Sequence, residues 1–298
     1  MADSKTLAVS IINYNSKQLL SKLLPKIMKQ ENLNVWVVDN ASPDKGGERL
    51  KKEFPKIHFI ESKENGGFAK GHNLVLKQIK TEFVALVNPD IEIPDDAISK
   101  MTAFMKENPN CGVASCKIVD FAGNVQSNGG NLPLGLPFFI WLFNLEMFPG
   151  VENIAGSFHR TDENYYNQTK EVGWVGGTFM FIRTDVLKKV NFMSEEYFMY
   201  VEDVDLCFMI KSKGYKIMIN PEVVIKHKSG ASSKDPHFAQ FKGESVGLEI
   251  FYNKHFGAFS MLIIKLFLYV GILARVLAFT VVGKSNIAQT YWKVLAYV

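Results

Sequence analysis

The sequence predicts an α/β fold with a mostly parallel central sheet flanked by helices. Short apolar runs rich in β-branched residues alternate with amphipathic stretches through about the first 120 residues. The apolar runs are continuous, as expected for strands that are covered on both faces. With 298 residues, 47% of them hydrophobic and 21% charged, the chain has the composition of an ordinary globular protein, which excludes intrinsic disorder.

The predicted elements follow one another in regular order. The strands are Leu7 to Ile12, Val35 to Val38, Ile57 to Ile60, Phe83 to Val87 and Gly112 to Lys117. The helices between them are Lys17 to Lys29, Glu48 to Phe54, Phe68 to Ile79 and Asp95 to Glu107. Further strands are predicted at Phe179 to Arg183 and Lys216 to Ile219, and a further helix at Asp205 to Lys213. Because helices connect successive strands of the first part, the carboxyl ends of those strands meet at one edge of the sheet, where ligands bind in such folds.

Polar residues gather at the carboxyl ends of the predicted strands. They are Asn13, Tyr14 and Asn15 after the first strand, Asp39 and Asn40 after the second, and Asn88, Pro89 and Asp90 after the fourth. Asn and Asp also cap helices and form turns, which is the alternative explanation for any one group. Three groups at the same edge favour a binding site. The glycine-rich helix start from Asn65 to Asn73 adds backbone amides that can face a phosphate.

Composition and motif content exclude several classes of function. The 34 basic and 30 acidic residues leave a net charge of +4, which argues against a general nucleic-acid-binding surface. The three cysteines form no CxxC pair, so we expect reduced thiols and neither a disulfide framework nor a zinc ribbon. No GxGxxG sequence follows the first strand, which argues against dinucleotide binding. Met1 to Lys5 lacks the apolar core of an export signal.

Six short motifs recur in a fixed order over roughly the first 230 residues. They are Val9 to Asn15, Val37 to Ser42, Asn65 to Ala69, Asn88 to Asp90, Gly176 to Gly177 and Tyr200 to Cys207. Their order resembles that of the inverting nucleotide-sugar transferases of glycosyltransferase family 2, which have the GT-A fold. Within that family, the chain is most similar to bacterial rhamnosyltransferase-like enzymes of surface polysaccharide synthesis.

The resemblance implies a nucleotide-sugar site at the carboxyl edge of the sheet. It places Asp39 against the base or ribose, Asn88 on the nucleoside side, and Asp90 as the ligand of Mg²⁺ or Mn²⁺ that bridges the donor diphosphate. A metal held by carboxylate oxygen neutralises the charge that the diphosphate gains as it leaves. The other residues expected in this site are Asn13, Asn15, Asn65, Gly66 and Asn73. Outside the motif set, Asp90 would be a turn or capping carboxylate.

The acidic pair Glu202 and Asp203 is the predicted catalytic centre. Inverting transfer needs one carboxylate to take the proton of the acceptor hydroxyl, and the resemblance assigns this base to Asp203. We expect like-charge repulsion from Glu202 and Asp205, together with aromatic neighbours, to raise the pKa of Asp203. An acidic helix N-terminus is the alternative, and it is the preferred interpretation for Asp205.

Two further positions are candidates and one departs from the family pattern. Gly176 and Gly177 allow close approach of the backbone to a ligand, and the resemblance places donor and acceptor sugars there, although a tight bend is the alternative. The resemblance permits His227 as a second metal ligand, whereas a lone histidine is often a surface or core residue. Relatives often have Arg at the position of Met209, so a basic contact to the diphosphate is missing here.

Two apolar segments suggest contact with lipid. The segment Pro133 to Val151 is expected to be a buried helix, a membrane-dipping loop or a subunit contact. From Gly257 to Val282 the chain is apolar except for Lys265 and Arg275, and at about 1.5 Å per residue it is long enough to cross a bilayer. The basic residues fall within about an 80° arc on a helix, which favours lying in the interface with the cations facing anionic head groups. They are Lys254, Lys265, Arg275 and Lys293. A core-packed helix pair is the alternative.

The sequence therefore predicts a GT-A domain over residues 1–234 and a membrane-association tail of helices over residues 235–298. The predicted activity is inverting transfer of a sugar to a hydroxyl of a lipid-linked glycan at the cytoplasmic face of the cell membrane. By family analogy the donor is dTDP-rhamnose. A UDP-hexose donor, or a non-catalytic module that binds a glycan or a partner, is the alternative. We expect no nucleic-acid partner, and a homo-oligomer remains open.

Overall fold

A computed structural model describes residues 6–148, 150–151, 156–228 and 235–298. The first part of the chain forms four parallel strands. They are β1 (Leu7–Asn13), β2 (Leu33–Asp39), β3 (His58–Glu61) and β4 (Phe83–Val87). They lie side by side in the order β3-β2-β1-β4. The four matching predictions are confirmed, with ends that differ by three residues or fewer.

The second part of the chain extends this sheet with parallel and antiparallel strands. Its strands are β5 (Ile91–Glu92), β6 (Cys111–Val119), β7 (Gly129–Gly130), β8 (Lys170–Glu171), β9 (Trp174–Val175), β10 (Phe179–Arg183) and β11 (Lys216–His227). The order continues from β4 through β10, β6 and β11 to β5, with β8 also on β11, while β7 and β9 pair separately. Strand β10 is antiparallel to both β4 and β6, so the sheet is mixed.

Strand β11 is much longer than its prediction. The predicted run ends at Ile219, but the strand continues to His227 because its register on β6 shifts between Asn220 and Val224. Pro221 lies within this irregular stretch, which is where a strand tolerates proline. The shift therefore carries His227 to the same edge of the sheet as the end of β4.

Helices cover both faces of the sheet, as predicted. They are α1 (Lys17–Met28), α2 (Gly46–Glu53), α3 (Gly67–Leu76), α4 (Ala97–Glu107), α5 (Leu136–Leu142), α6 (Thr184–Lys189), α7 (Glu202–Ser212), α8 (Pro236–Val281) and α9 (Ser285–Val294). The apolar faces of α1, α2 and α4 share one buried cluster with alternate residues of the strands. Those of α3, α6, α7 and α8 share the other cluster.

The apolar segment before residue 151 forms a buried helix over part of its length. The side chains of Phe138, Ile140, Trp141 and Leu142 in α5 are buried. Phe139 packs edge-to-face on Phe267 of α8, and Leu142 lies against Gly271. By contrast, Leu136, Met147 and Phe148 are exposed. Of the three alternatives, the buried helix accounts for α5 itself.

Helix α8 bends at Gly257, whose φ of 83° and ψ of 169° are not helical. Before the bend, Leu248, Phe251 and Tyr252 belong to the same buried cluster as α3 and α7. The predicted boundary at residue 234 lies outside the described residues. The residues that follow it share a core with the preceding domain, so the two predicted parts pack as one body.

Of the four cations in the expected outward-facing basic stripe, Lys254, Lys265 and Arg275 bind oxygen atoms of the protein, so the prediction is wrong for these three, whereas Lys293 on α9 is exposed. Nζ of Lys254 donates to Asp205 and Nζ of Lys265 to Glu249. The buried guanidinium of Arg275 donates to the carbonyl oxygens of Trp141 and Leu142 at the end of α5. The three cations find oxygen partners in the protein, although the Lys265 side chain stays 43% exposed. The bend at Gly257 separates Lys254 from the helical segment that carries Lys265 and Arg275.

Apolar side chains instead occupy the outer face of α8 beyond Gly257. The most exposed are Phe259 (77%), Leu262 (58%), Leu266 (63%), Leu277 (66%) and Val281 (85%). Within the described residues, α8 is long and apolar enough to cross a membrane. A face with this many exposed apolar side chains is typical of an interaction surface.

Candidate active site

A cavity of about 590 Å³ opens at the carboxyl ends of β1 and β4. The segments that line it come from both ends of the chain. Among the lining residues are Tyr14, Asn40, Asn65, Asn88, Asp90, Gln126, His159, Gly176, Gly177, Tyr200, Glu202, Asp203, His227, Gln240 and Glu244. Most of the predicted site residues therefore meet in one place, although they come from distant parts of the sequence.

Asn13 and Asp39 lie at this edge but do not line the cavity. Nδ2 of Asn13 donates to Oδ1 of Asp39 at 3.3 Å and to Oγ of Ser42 at 3.1 Å. Gly47 at the start of α2 packs so closely on Asp39 that a side chain there would overlap its carboxylate. Asn15 is exposed, and its amide nitrogen donates to Oγ of Ser42. These contacts fix the shape of the strand ends.

Asn40 organises the glycine-rich loop before α3. Its Nδ2 donates to Oδ1 of Asn65 at 2.9 Å and to the carbonyl oxygen of Gly67 at 3.0 Å, and its Oδ1 accepts from the Gly66 amide. Gly67 has a φ of 77°, and a Cβ there would overlap the carbonyl oxygen of Phe198. Glycine is therefore required at this contact.

Asn73 is buried on α3 and does not line the cavity. Its Nδ2 donates to the Met193 carbonyl at 2.8 Å and to Oε1 of Glu195 at 2.9 Å, and its Oδ1 accepts from the Met193 amide. All of these bonds hold the loop that leads to the acidic pair. Because this amide is already engaged, the nucleotide-sugar contact of Asn73 stays a prediction.

Asp90 and His227 face each other across the end of the sheet. Oδ1 of Asp90 lies 3.4 Å from Nε2 of His227, and both side chains are largely buried. Oε1 of Gln126 can only accept, so the 2.9 Å contact with Nδ1 of His227 places the ring proton on Nδ1. In neutral His227, the Nε2 lone pair then points at a carboxylate oxygen, an arrangement that suits a cation between them.

The donor set around this pair is incomplete without a substrate. Among the described residues, no cluster of three or more His, Cys, Asp or Glu side chains suits a metal ion. Likewise, none of the described residues that line the cavity is Lys or Arg. Met209, where the resemblance led us to expect Arg, does not line it either, and its sulfur lies 3.6 Å from Nζ of Lys254. A diphosphate in this cavity would need a cation.

Asp203 presents its carboxylate to the cavity from the first turn of α7. Oδ2 accepts from the Gly177 amide at 3.1 Å, and Oδ1 accepts from the Val204 amide at 2.8 Å. Burial raises the pKa of Asp203, and the backbone hydrogen bonds partly offset this rise. The Gly177 amide can approach Asp203 because Gly177 has no side chain. A Cβ at this position would lie 2.6 Å from the ring of Phe68.

Glu202 is buried beside Asp203, and its Oε2 has no hydrogen-bond partner among the described residues. Burial raises the pKa of Glu202 well above its usual range, and the charge of Asp203 raises it further. The pKa of Asp203 was expected to rise through like-charge repulsion and burial together, and burial is the first cause for both carboxyl groups.

Asp205 turns away from the cavity. Its side chain is fully buried, with Oδ1 accepting from Tyr197 at 3.2 Å and from His255 at 2.6 Å. Oδ2 accepts from Ser194 at 2.7 Å and from Lys254 at 2.8 Å. The non-catalytic interpretation of Asp205 therefore fits its position, although its main contacts are with α8.

Sequence analysis missed several polar residues that line the cavity, among them Gln126, His159, Gln240 and Glu244. Glu244 and Gln240 lie on α8, which was interpreted as a lipid-facing tail. Glu244 is one of two acidic residues after residue 237, and this rarity was the available signal. His159 had no motif around it.

The chain matches a family model and several known proteins. The model described as glycosyl transferase family 2 matches residues 8–190. A low-salt glycan biosynthesis hexosyltransferase of Haloferax volcanii is 25% identical over 215 residues, which cover 71% of this chain and 63% of that protein. An N-acetylglucosaminyl-diphospho-decaprenol L-rhamnosyltransferase of Mycobacterium tuberculosis is 21% identical over 252 residues, which cover 77% of this chain and 78% of that protein.

A solved structure extends the likeness to almost the whole chain. A mannosyltransferase from Pyrobaculum calidifontis, in complex with GDP-Man and Mn²⁺, superposes with a TM-score of 0.59 at 17% identity. The superposition covers 98% of this chain and 75% of that one. At this identity, the comparison establishes the fold.

Proposed function

Because the chain belongs to glycosyl transferase family 2 and has the GT-A fold, we propose that it transfers a sugar, with inversion, from a nucleotide-sugar donor to a hydroxyl of a lipid-linked glycan. One observation carries this proposal. The Asp203 carboxylate, held by backbone amides, faces the same cavity as the Asp90 and His227 pair. A base and a cation site in one cavity are what sugar transfer requires.

Asp203 is the proposed base. The acceptor oxygen attacks the anomeric carbon from the face opposite the diphosphate, and the bond between that carbon and the diphosphate oxygen breaks. The diphosphate leaves with the electron pair, and the hydroxyl proton passes to a carboxylate oxygen of Asp203. The raised pKa of this carboxyl makes it a better proton acceptor than an exposed aspartate. The amides of Gly177 and Val204 hold it in place.

Asp90 and His227 are the proposed metal-binding residues. Their oxygen and nitrogen donors are of the types that Mg²⁺ and Mn²⁺ accept, and Gln126 orients the imidazole. When bound, such a cation supplies the positive charge that stabilises the departing diphosphate. The lack of Lys and Arg among the described lining residues supports this assignment.

The nucleotide is proposed to bind at the strand ends. Asn65 and Asn88 line the cavity from the side of β1 and β4, and Gly66 lies between two lining residues of the glycine-rich loop. The remaining predicted residues shape the surrounding loops through the bonds described above, namely Asn13, Asn15, Asp39 and Asn73. The contact of Asp39 with the base or ribose remains a prediction. Gly176 and Gly177 are proposed to lie against the transferred sugar.

We propose dTDP-rhamnose as the donor, since one relative is a rhamnosyltransferase by name. A UDP-hexose is the alternative, because another relative is named only as a hexosyltransferase. The rhamnosyltransferase's name also includes a diphospho-decaprenol acceptor, which supports a lipid-linked acceptor here. A non-catalytic glycan-binding role is less well supported, because the cavity retains Asp90 and Asp203.

We further propose that the chain works at the cytoplasmic face of the cell membrane. The support is the exposed apolar face of α8 beyond Gly257, which fits the acyl boundary of a bilayer. A second copy of the chain covering that face, as a homo-oligomer, is the competing outcome.

A thermal-shift screen of dTDP-, UDP- and GDP-sugars with Mg²⁺ or Mn²⁺ tests the donor. We expect a metal-dependent shift with one nucleotide class, and transfer that falls at least about a hundredfold in Asp203→Asn. The exposed Asp185→Asn variant is the matched control. The enzyme hypothesis fails if no nucleotide sugar binds, or if Asp203→Asn transfers as well as the wild type.

A further inference from the structure

The cavity contains a second polar cluster that the proposed chemistry does not use. It consists of His159, in the segment between α5 and β8, with Gln240 and Glu244 on α8. Nε2 of Gln240 donates to Oε1 of Glu244 at 2.9 Å, and Nε2 of His159 lies 3.3 Å from the same oxygen. Nδ1 of His159 lies 3.3 Å from Oγ of Ser127. The cluster is therefore positioned by contacts on both sides of the cavity.

Buried polar atoms in this cluster lack partners. Glu244 is 4% exposed, yet its Oε2 makes no hydrogen bond among the described residues, and Nε2 of His159 makes none of adequate geometry. An unpaired buried carboxylate oxygen costs free energy unless a ligand satisfies it. Because Glu244 lines the cavity, a ligand there can reach the carboxylate to which this unpaired oxygen belongs.

The cluster lies beside the proposed base. The charges of Glu244, Glu202 and Asp203 all act on Tyr200, whose pKa is raised to about 12, with burial as the first cause. His159, Gln240 and Glu244 line the same cavity as Asp203. The cluster therefore faces the space in which the proposed acceptor would bind.

We propose that Glu244, Gln240 and His159 form the subsite that selects the acceptor sugar, and that this sugar is a neutral pyranose with a free hydroxyl beside the reacting one. This inference rests on the proposed function. The carboxylate of Glu244 accepts from that hydroxyl, and Gln240 and His159 hold the carboxylate. The carboxylates of Asp203 and Glu244, which line the same cavity, repel an acidic sugar such as a uronate.

Glycoside binding tests the subsite without needing the natural acceptor. Saturation-transfer NMR compares the methyl β-glycosides of glucose, galactose and N-acetylglucosamine with methyl β-glucuronide, each with the full-length chain. We expect the wild type to bind at least one neutral glycoside at least about tenfold more tightly than the glucuronide. In Glu244→Gln, neutral binding weakens about tenfold, as for loss of a hydrogen bond to a charged group. The ratio of the affinity for the neutral glycoside to the affinity for the glucuronide also falls in this variant, because the charge that repels the glucuronide is gone.

A matched control and a second variant keep the test decisive. Glu249→Gln changes another acid of the same helix, which pairs with Lys265 and does not line the cavity, so its binding should equal that of the wild type. Gln240→Ala should weaken neutral binding in the same direction as Glu244→Gln. The inference is overturned if Glu244→Gln binds neutral glycosides like the wild type, if the glucuronide binds equally well, or if the wild type binds none. A different result would contradict the proposed function, namely that no nucleotide sugar shifts the melting temperature.

Discussion

Asp205 on α7 and His255 on α8 are joined by a buried hydrogen bond of 2.6 Å between Oδ1 and Nε2. The other carboxylate oxygen of Asp205 accepts from Lys254 at 2.8 Å. Asp203, the proposed base, lies two residues earlier on the same helix. The first turn of α7 therefore both holds α8 and positions the proposed base.

Replacing Asp205 with Asn should loosen α8. The variant leaves the cations of α8 without their buried counter-charge, and we expect the free energy of unfolding to fall by about 3 kcal/mol. Urea unfolding measures this loss. The surface pair of Asp185 and Lys189 provides the control, since Asp185→Asn should change stability by less than about 1 kcal/mol. Equal effects of the two substitutions would show that Asp205 does not anchor the helix.

Replacing Gln126 with Ala should weaken metal binding without removing a ligand. Gln126 fixes the ring orientation of His227, and loss of such a contact typically lowers metal affinity about 10- to 100-fold. A Mn²⁺ titration followed by electron paramagnetic resonance, with nucleoside diphosphate present, measures the affinity. Asn124→Ala, in an exposed turn, is the control. An unchanged titration in both Gln126→Ala and His227→Ala would dismiss the assignment of His227.

Replacing Glu202 with Gln should stabilise the protein in a pH-dependent way. Burial raises the pKa of Glu202 above its usual 4.5, so in the folded state the carboxyl binds a proton that the unfolded chain releases. The wild type therefore loses stability as the pH rises from about 4.5 through the raised value. The variant lacks this titration, and its stability advantage should grow over that range in melting experiments. A difference that is independent of pH would contradict the buried-acid assignment.

Substitutions at two glycines with positive φ distinguish the cost of backbone strain from the cost of steric overlap. Gly123 has a φ of 94° and no atom within 4 Å of the place that a Cβ would take, whereas at Gly67 a Cβ would overlap the Phe198 carbonyl. Gly123→Ala should cost about 1 to 2 kcal/mol of stability from strain. Gly67→Ala should cost about 1 to 3 kcal/mol more and reduce transfer, because the Phe198 segment leads to the acidic pair. Equal costs in thermal unfolding would rule out the close contact.

The apolar face of α8 should control membrane binding. Replacing both Phe259 and Leu266 with Ser removes two exposed apolar side chains, and we expect co-sedimentation with lipid vesicles to fall at least about tenfold. Val224→Ser, exposed on β11, should bind like the wild type. Because Lys254, Lys265 and Arg275 are already paired, added salt should weaken binding little. If vesicle binding is unchanged but a concentration-dependent dimer dissociates, a second copy covers this face.

Local sequence patterns were sufficient for most of the fold and part of the site. Continuous apolar runs identified β1 and β4, and the polar residues that follow them identified the cavity edge. The ordered motifs led to Asp90 and the family resemblance permitted His227, and these two residues lie 3.4 Å apart although 137 positions separate them. These successes depend on the regular spacing of strands and on the resemblance to a family.

Long-range contacts account for what the sequence did not reveal. The direction of β10 depends on how the chain returns after residue 120, where regular alternation ends. Helical spacing assumed a regular helix through Gly257, and no local pattern showed that the helix bends there or that Lys254, Lys265 and Arg275 pair within the protein. Glu244 reaches the cavity through packing of α8 on α7, and no local pattern records that contact.

The bonds from Arg275 to the end of α5 limit how the chain can be shortened for experiments in water. Ending it near residue 234 removes Glu244 and uncovers the buried surface around Phe251. Ending it at Gly257 spares both, but leaves the Trp141 and Leu142 carbonyl oxygens without their donor. A form that is soluble without detergent should therefore be made by polar substitutions on the outer face of α8, with the helix kept at its full length.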